Sequence, residues 1–341
     1  MTEHCNLNCV MCYERNSPAY ERKKHVLDFG RLSEVIDECA EFKPHYELFG
    51  GEPLMYPHFD QLLAHINRRG SQVTIPTNGT LLRRKADTLL GHSVDNVWVS
   101  LDGPPEVNDT QRGADSYQLA RNGIVTLFEK RERLGLKYPR IGVHCVVTPF
   151  NYEHLNRLVG GADLFPYVDD FSFELQKYLT PKLYDRYLDY LSSAGTPVSE
   201  ARYANGYVQE VAEFSTLDAS SLSSSLADIQ LKCVDNGKGF FTNPGELTPH
   251  NISEYFSAGW HNMTNHHKSC VFPFAYAEIS ASGDVTLCHS FYDDVLGNIS
   301  SQNLLDIWSS PKAAAFRKSI KKRLIPICYA CCSFFNPNNM A

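Results

Sequence analysis

The sequence has 341 residues, of which 43% are hydrophobic, and a formal net charge of −7. This length suggests about two domains, with enough apolar residues for a sizeable core. The negative charge argues against non-specific binding to nucleic acid or to an anionic membrane, because both need a basic surface. The sequence has no run of 18 apolar residues and no signal peptide before Cys5. We therefore expect a cytoplasmic protein that has neither a membrane nor a nucleic acid as a partner.

Three cysteines stand within eight residues near the start of the chain. Cys5, Cys9 and Cys12 follow the spacing C-x3-C-x2-C. Thiolates at this density select zinc, copper(I) or an iron–sulfur cluster. A structural zinc site needs a fourth ligand, and His4 is a poor candidate because adjacent side chains cannot readily wrap one ion. Three thiolates suit a [4Fe–4S] cluster, in which one iron stays free to bind a cofactor or substrate.

Helical and extended patterns alternate over the first half of the chain. Apolar periodicity predicts helices at 28–42, 59–69, 82–90, 116–134 and 151–158, and strands at 46–49, 73–76, 97–101, 141–148 and 169–175. Strands that alternate with helices at this pace predict parallel βα units. The sequence therefore indicates an α/β fold with a partial (β/α)6 barrel in a first domain of residues 1–176. Because four residues precede Cys5, we expect the first barrel strand to be short or missing.

A glycine-rich motif follows the first predicted strand, at the edge where barrels of this class bind ligands. Gly50 and Gly51 let the backbone approach a ligand closely. Glu52 offers an acceptor for an ammonium group. A plain strand-to-helix turn would use the same residues.

Further polar residues follow the next two strands. Asn78, Ser100 and Asp102 can hold a ribose or a carboxylate, although Asn-Gly and Asp-Gly also favour tight turns. The planar fork of Arg112 can bind a carboxylate through two hydrogen bonds, or it can form an exposed salt bridge.

The alternation of strands and helices stops after residue 176. Residues 177–268 are predicted to connect the domains and to confer substrate specificity. Within them, the serine-rich stretch 220–225 is predicted to be a loop. His261, His266 and His267 lie in a polar stretch and are predicted to be ordinary loop histidines.

The last segment contains two further pairs of cysteines. Cys270 and Cys288 flank a predicted hairpin that turns at 282–284, an amphipathic helix follows through 304–308, and Cys328 and Cys331 form a C-x2-C pair. Two pairs joined by a compact hairpin-plus-helix unit make a four-thiolate site, which zinc could also occupy. The adjacent Cys332 could replace Cys331. Cys233 could be an unrelated thiol or a ligand that displaces one of the four.

Together these motifs resemble the radical S-adenosylmethionine (SAM) enzymes, over most of the chain. The resemblance lies in C-x3-C-x2-C, in Gly50-Gly51-Glu52-Pro53 about forty residues later, and in the C-terminal cysteine pairs. In that family the open iron binds SAM, and the reduced cluster cleaves it to a 5′-deoxyadenosyl radical that takes a hydrogen atom from a C–H bond. Residues 269–341 resemble a truncated, twitch-like form of the SPASM domain. This implies one auxiliary [4Fe–4S] cluster on Cys270, Cys288, Cys328 and Cys331.

The resemblance also implies how SAM is bound. Gly50, Gly51 and Glu52 match the family's loop for the methionyl amino group, and Ser100 and Arg112 match positions that contact the cofactor. Met11 stands where the family often has an aromatic residue, so stacking on the adenine would become a softer thioether contact.

The expected reaction is a net oxidation, because an auxiliary cluster with four thiolates could accept an electron from a substrate radical. The family resemblance implies a small-molecule substrate such as a sugar or an aminocyclitol, and a low-potential electron donor such as flavodoxin or ferredoxin. Two alternatives stay open, a peptide-modifying maturase of the same superfamily and a non-catalytic zinc-binding protein. The general base is unassigned, with Glu174, Gln176 and His144 as candidates.

Overall fold

The computed structural model describes residues 1–17, 24–195, 201–264, 270–322 and 324–335. The predicted loop histidines His266 and His267 lie outside these ranges. Nine strands are found in the described residues: β1 His45–Glu47, β2 Gln72–Thr77, β3 Asn96–Ser100, β4 Arg140–Val147, β5 Asp170–Leu175, β6 Gly239–Asn243, β7 Glu278–Ile279, β8 Asp284–Thr286 and β9 Gly297–Asn298.

Helices fill most of the remaining described chain. The α-helices are α1 Tyr13–Asn16, α2 Phe29–Glu38, α3 Phe59–Arg68, α4 Leu82–Gly91, α5 Pro105–Arg112, α6 Ser116–Arg133, α7 Leu155–Gly160, α8 Pro181–Ser193, α9 Arg202–Asn205, α10 Ala219–Asp235, α11 Pro249–Phe256, α12 Phe272–Ala275, α13 Leu304–Trp308 and α14 Pro311–Lys322. Short 3-10 turns lie at Ala40–Phe42, Pro53–Met55, Tyr152–His154, Phe165–Tyr167, Val211–Phe214, Trp260–Asn262, Pro326–Ala330 and Cys332–Phe335. None of the helices in the described ranges is both long enough and apolar enough to cross a membrane.

Two sheets organise the chain. The larger sheet has six strands in the order β1-β2-β3-β4-β5-β6, and the smaller has three in the order β7-β8-β9. Strands β1 to β4 pair in parallel, with Glu47 opposite Thr74 and Ser100 opposite His144. A parallel sheet with helical crossovers, followed by an antiparallel hairpin and helices, confirms the predicted α/β fold class with a partial (β/α)6 barrel and a C-terminal hairpin-plus-helix region.

Two compact units make up the fold. The first unit comprises residues 1–9, 24–174 and 224–241, and the second comprises residues 10–23, 175–223 and 242–341. The core of the first unit comes from alternate strand residues: Val97 and Val99 of β3, like Phe171 and Phe173 of β5, are fully buried. Their neighbours in sequence point to the opposite face, because successive side chains of a strand alternate.

Three of the differences between prediction and structure concern elements of the larger sheet and its helices. Residues 220–225 are not a loop, because they lie inside α10, where Leu222, Leu226 and Ile229 are buried along one helix face. This apolar stripe outweighs the weak helix preference of the serines between its members. The βα alternation also continues beyond residue 176, since β6 follows α10 and joins the same sheet. Helix α5, which ends at Arg112, was not predicted.

Candidate functional site

The segment that leads into the cysteine motif runs along the Gly50-Gly51-Glu52 loop. The Gly51 N–H donates to Thr2 O at 2.7 Å, and the Glu52 N–H donates to His4 O at 2.8 Å. A Cβ atom at Gly51 would stand 2.5 Å from His4 O, and one at Gly50 would stand 2.5 Å from Thr2 O. The N-terminal segment of the protein therefore lies so close to this loop that only glycine fits at positions 50 and 51.

Glu52 is fully buried and connects this loop to the end of β2. Its carboxylate accepts hydrogen bonds from Leu54 N at 3.0 Å, Thr77 Oγ1 at 2.7 Å and Asn78 N at 2.8 Å. Burial raises the pKa of Glu52, and the three hydrogen bonds partly oppose this shift. Glu52 thus fixes the backbone position of Asn78, in addition to any role in binding SAM.

Asn78 in turn contacts the first cysteine. Its Nδ2 lies 3.8 Å from Cys5 Sγ and 3.0 Å from Asn6 Oδ1. Thr80 holds the other end of the amide, because the Thr80 N–H and hydroxyl both donate to Asn78 Oδ1. The Asn78 amide is therefore oriented with its N–H₂ group toward the sulfur of Cys5.

Cys9 lies beside a buried ion pair. Its Sγ is 4.0 Å from Arg112 O, and Arg112 Nε and Nη2 donate to the two oxygens of Asp102 at 2.5 and 3.1 Å. Burial would lower the pKa of Arg112, but the charges of Asp102 and then Cys9 outweigh it, so that pKa is raised. The structure thus brings Arg112, Asp102 and Cys9 together, with two of the guanidinium donors used inside the protein.

The remaining predicted residues of the first site have the following positions. Cys12 lies half-buried at the N-terminal end of α1, and Met11 lies half-buried just before it. Ser100 is the half-buried last residue of β3. Their contacts with SAM stay predictions.

The half-buried face of the larger sheet carries titratable side chains. His144 on β4 contacts Ser172 on β5, with Nδ1 and Oγ 3.2 Å apart. Glu47 on β1 is exposed at the surface, and its pKa is raised by the protein around its carboxyl group and then by the charge of Glu174 on β5. Three strands of the larger sheet lie between β1 and β5. Two of the three candidate bases, His144 and Glu174, are among these residues.

Four of the C-terminal cysteines line one cavity in the second unit. Cys270, Cys288, Cys328 and Cys331 share this cavity with apolar side chains that include Phe272, Leu287, Phe291, Phe316 and Ile320. Burial raises the pKa of Cys270 to about 11 and that of Cys288 to about 12, and the charge of Cys331 adds to both shifts. Thiolates that are buried side by side repel one another. A cationic iron centre would offset this repulsion, because metal binding favours deprotonated ligands.

Cys331 and Cys332 are adjacent in sequence but have different surroundings. Cys331 lines the cavity, and its Sγ is 3.2 Å from Ser290 Oγ. Cys332 is fully buried, with its Sγ 3.0 Å from the Tyr255 hydroxyl and 3.4 Å from Leu175 O. This placement favours Cys331 as the fourth ligand. Cys233 is a buried residue of α10 in the first unit.

No three His, Cys, Asp or Glu side chains in the described part of the chain are arranged to share one metal ion. A cubane does not need such an arrangement, because each of its irons takes a single thiolate. The four soft donors and the apolar cavity they line therefore fit an iron–sulfur cluster.

Comparison with known families agrees with this geometry. Residues 1–159 match the family described as the radical SAM superfamily, and residues 270–332 match SPASM, an iron–sulfur cluster-binding domain. The chain belongs to the radical SAM superfamily. Its two domains indicate a SAM-binding [4Fe–4S] cluster, an auxiliary cluster and SAM itself, as predicted. The zinc-binding alternative is therefore set aside.

Two relatives of this radical SAM enzyme align over most of its length. The tungsten-containing aldehyde ferredoxin oxidoreductase cofactor-modifying protein of Pyrococcus furiosus is 26% identical over 97% of this chain and 85% of its own. The AdoMet-dependent heme synthase of Methanosarcina barkeri is 26% identical over 93% of this chain and 82% of its own. Among solved structures, SuiB of Streptococcus suis bound to S-adenosylmethionine superimposes with a TM-score of 0.62 at 16% identity, over 93% of this chain and 66% of that one. That likeness shows the fold.

The residues that the sequence did not reveal are those that position the predicted ligands. Thr2 and His4 do so through backbone carbonyls, which any sequence supplies, so no sequence signal could have identified them. Ser290 was missed as well, although it lies two residues after a predicted ligand.

Proposed function

We propose that this radical SAM enzyme oxidises a small molecule of the sugar or aminocyclitol class. One observation carries the proposal: four cysteines line a single apolar cavity, so that each iron of the auxiliary cluster would have its own thiolate. Such a cluster has no open iron for substrate, whereas it can accept an electron. When bound, SAM and the two clusters supply the radical that takes the hydrogen atom and the centre that accepts the remaining electron.

Residues on the half-buried face of the larger sheet would bind the substrate and take the proton. Hydrogen-atom loss followed by loss of one electron and one proton oxidises the substrate by two electrons, so a base is required. Glu174, the next-to-last residue of β5, and His144, three residues before the end of β4, lie on the half-buried face of the sheet. Ligands of barrels of this class bind at the carboxyl ends of the strands. The proton would pass to one of these groups from a hydroxyl or amine attached to the radical carbon, so that loss of the electron leaves a C=O or C=N bond.

The charge of this face supports the substrate class. The protein around its carboxyl group, and then the charge of Glu174, raise the pKa of Glu47. A protonated amine beside Glu47 would favour its charged form, and hydroxyl groups of a substrate could donate to its oxygens. An amine- and hydroxyl-bearing metabolite therefore suits the face better than a polyanion does.

A product analysis tests the proposal. The reconstituted enzyme, SAM and a strong reductant are incubated with a panel of amino sugars and aminocyclitols, and product mass and 5′-deoxyadenosine are measured. We expect a product lighter by two hydrogens, with one 5′-deoxyadenosine per product. A product that has lost no electrons, or turnover with peptides alone, would overturn the proposal.

Two variants test the proposed roles of the auxiliary cluster and of Glu47. Cys328→Ala should still form 5′-deoxyadenosine but yield little oxidised product, because the auxiliary cluster is lost. Glu47→Gln should raise the KM for an amine-bearing substrate and leave that of a neutral hydroxyl analogue nearly unchanged.

A further inference from the structure

A lysine is linked to the auxiliary site through one hydroxyl group. Lys177 Nζ lies 3.2 Å from Ser290 Oγ, and Ser290 Oγ lies 3.2 Å from Cys331 Sγ. Ser290 is 2% exposed, so its hydroxyl has little access to water. All three residues belong to the second unit.

The chemistry of the three groups fixes the direction of both hydrogen bonds. An ammonium group only donates, so Ser290 Oγ accepts from Lys177. The hydroxyl proton of Ser290 then remains available for the sulfur, and a metal-bound thiolate can only accept it. The positive charge of Lys177 thereby polarises the Ser290 hydroxyl group, which strengthens the hydrogen bond from Ser290 to Cys331.

We propose that Lys177 and Ser290 are positioning residues that raise the reduction potential of the auxiliary cluster. A hydrogen bond to a ligating sulfur and a nearby positive charge both favour the reduced, more negative cluster. The apolar lining of the cavity strengthens the effect, because charges are screened less there than in water. A higher potential makes the cluster a better acceptor of the substrate's electron; that consequence rests on the proposed function, whereas the potential itself does not.

The test measures the potential of this cluster alone. The full chain carrying Cys5→Ala, Cys9→Ala and Cys12→Ala is reconstituted, so that only the auxiliary cluster forms, and it is titrated with redox mediators by electron paramagnetic resonance. Lys177→Met should favour the oxidised form by about tenfold, which corresponds to a potential about 59 mV lower. Ser290→Ala should give a shift of the same sign.

Matched variants separate a specific effect from a general one. Lys177→Arg keeps the positive charge, so the reduction potential of its auxiliary cluster should stay close to that of the protein with Lys177. Lys182→Met removes an exposed lysine from the start of α8 in the same unit and should leave the potential unchanged. The double variant Lys177→Met with Ser290→Ala should shift the potential by less than the sum of the single shifts, because one chain of hydrogen bonds carries both effects.

Three results would overturn the inference. The first is a Lys177→Met potential equal to that of Lys182→Met. The second is additive shifts in the double variant. The third is loss of the cluster in both Lys177→Met and Ser290→Ala, while Lys182→Met keeps its iron. Lys177 and Ser290 would then be needed to bind the cluster, and they would not be there to set its reduction potential. Because no substrate is present, these results are independent of whether the enzyme catalyses a net oxidation.

Discussion

Replacement of Gly51 by alanine tests whether this glycine makes room for the N-terminal segment. The added Cβ would stand 2.5 Å from His4 O, 2.8 Å from His4 C and 2.9 Å from Glu3 O. All three are backbone atoms, so the segment must move by about 1 Å to reach ordinary van der Waals distance. The segment ends at Cys5, and its displacement moves that ligand.

The chain can respond to the added Cβ in two ways, and each way has a cost in free energy. If the segment is released, two hydrogen bonds of about 1 kcal/mol each are lost, from Gly51 N to Thr2 O and from Glu52 N to His4 O. If the segment stays, overpacking costs about 1–3 kcal/mol. Either response costs about 2 kcal/mol, which is about 30-fold in the population of the ordered segment.

The assay is iron retention after anaerobic reconstitution with limiting iron. Gly51→Ala should lose about half of the bound iron, because the first cluster is weakened and the auxiliary cluster is unaffected. Gly91→Ala is the matched control, since a Cβ at this exposed end of α4 would meet nothing within 4 Å. If Gly51→Ala keeps both clusters but loses SAM binding, the glycine makes room for SAM and not for the N-terminal segment.

Three further predictions concern the ligands and their supports. Cys331→Ala should abolish the auxiliary cluster, whereas Cys332→Ala should keep it and lower only the stability; iron analysis and spectra distinguish these outcomes. Asn78→Asp should lower the potential of the first cluster by about 59 mV or more, because a carboxylate replaces an N–H donor near Cys5. Redox titration in a Cys328→Ala background measures it, and an unchanged potential would contradict the role assigned to Asn78. Asp102→Asn should destabilise the fold by about 3 kcal/mol in urea unfolding, because Arg112 loses a buried partner. Asp87→Asn, which disrupts an exposed pair with Lys130, should cost below about 1 kcal/mol.

Much of the fold follows from local periodicity. The apolar pattern of Val97 and Val99, or of Phe171 and Phe173, predicted strands that the structure confirms, because each strand buries one face against helices. The hairpin that turns at Gly283 was also predicted, because the residues of its turn favour tight turns. These features depend on neighbours in sequence.

The features that the sequence did not reveal depend on distant contacts. Serine-rich composition concealed the stripe of Leu222, Leu226 and Ile229, which becomes a helix face only when a core is present to cover it. The two glycines of the Gly50-Gly51 pair suggested a ligand's approach, and only the structure shows the carbonyls of Thr2 and His4 beside them. The pairing of Arg112 with Asp102 was equally hidden, because ten residues and the unpredicted helix α5 separate the two.

The buried sulfur of Cys332 bears on how the auxiliary centre is assembled. Its contacts with the Tyr255 hydroxyl and Leu175 O hold the end of the last cysteine loop in the protein core, and neither contact involves iron. These contacts hold Cys332 in place, and the adjacent Cys331 lies at the cavity. Because these two contacts restrict the loop through the protein core, cluster binding has less conformational freedom left to remove, and the entropic cost of assembling the site falls.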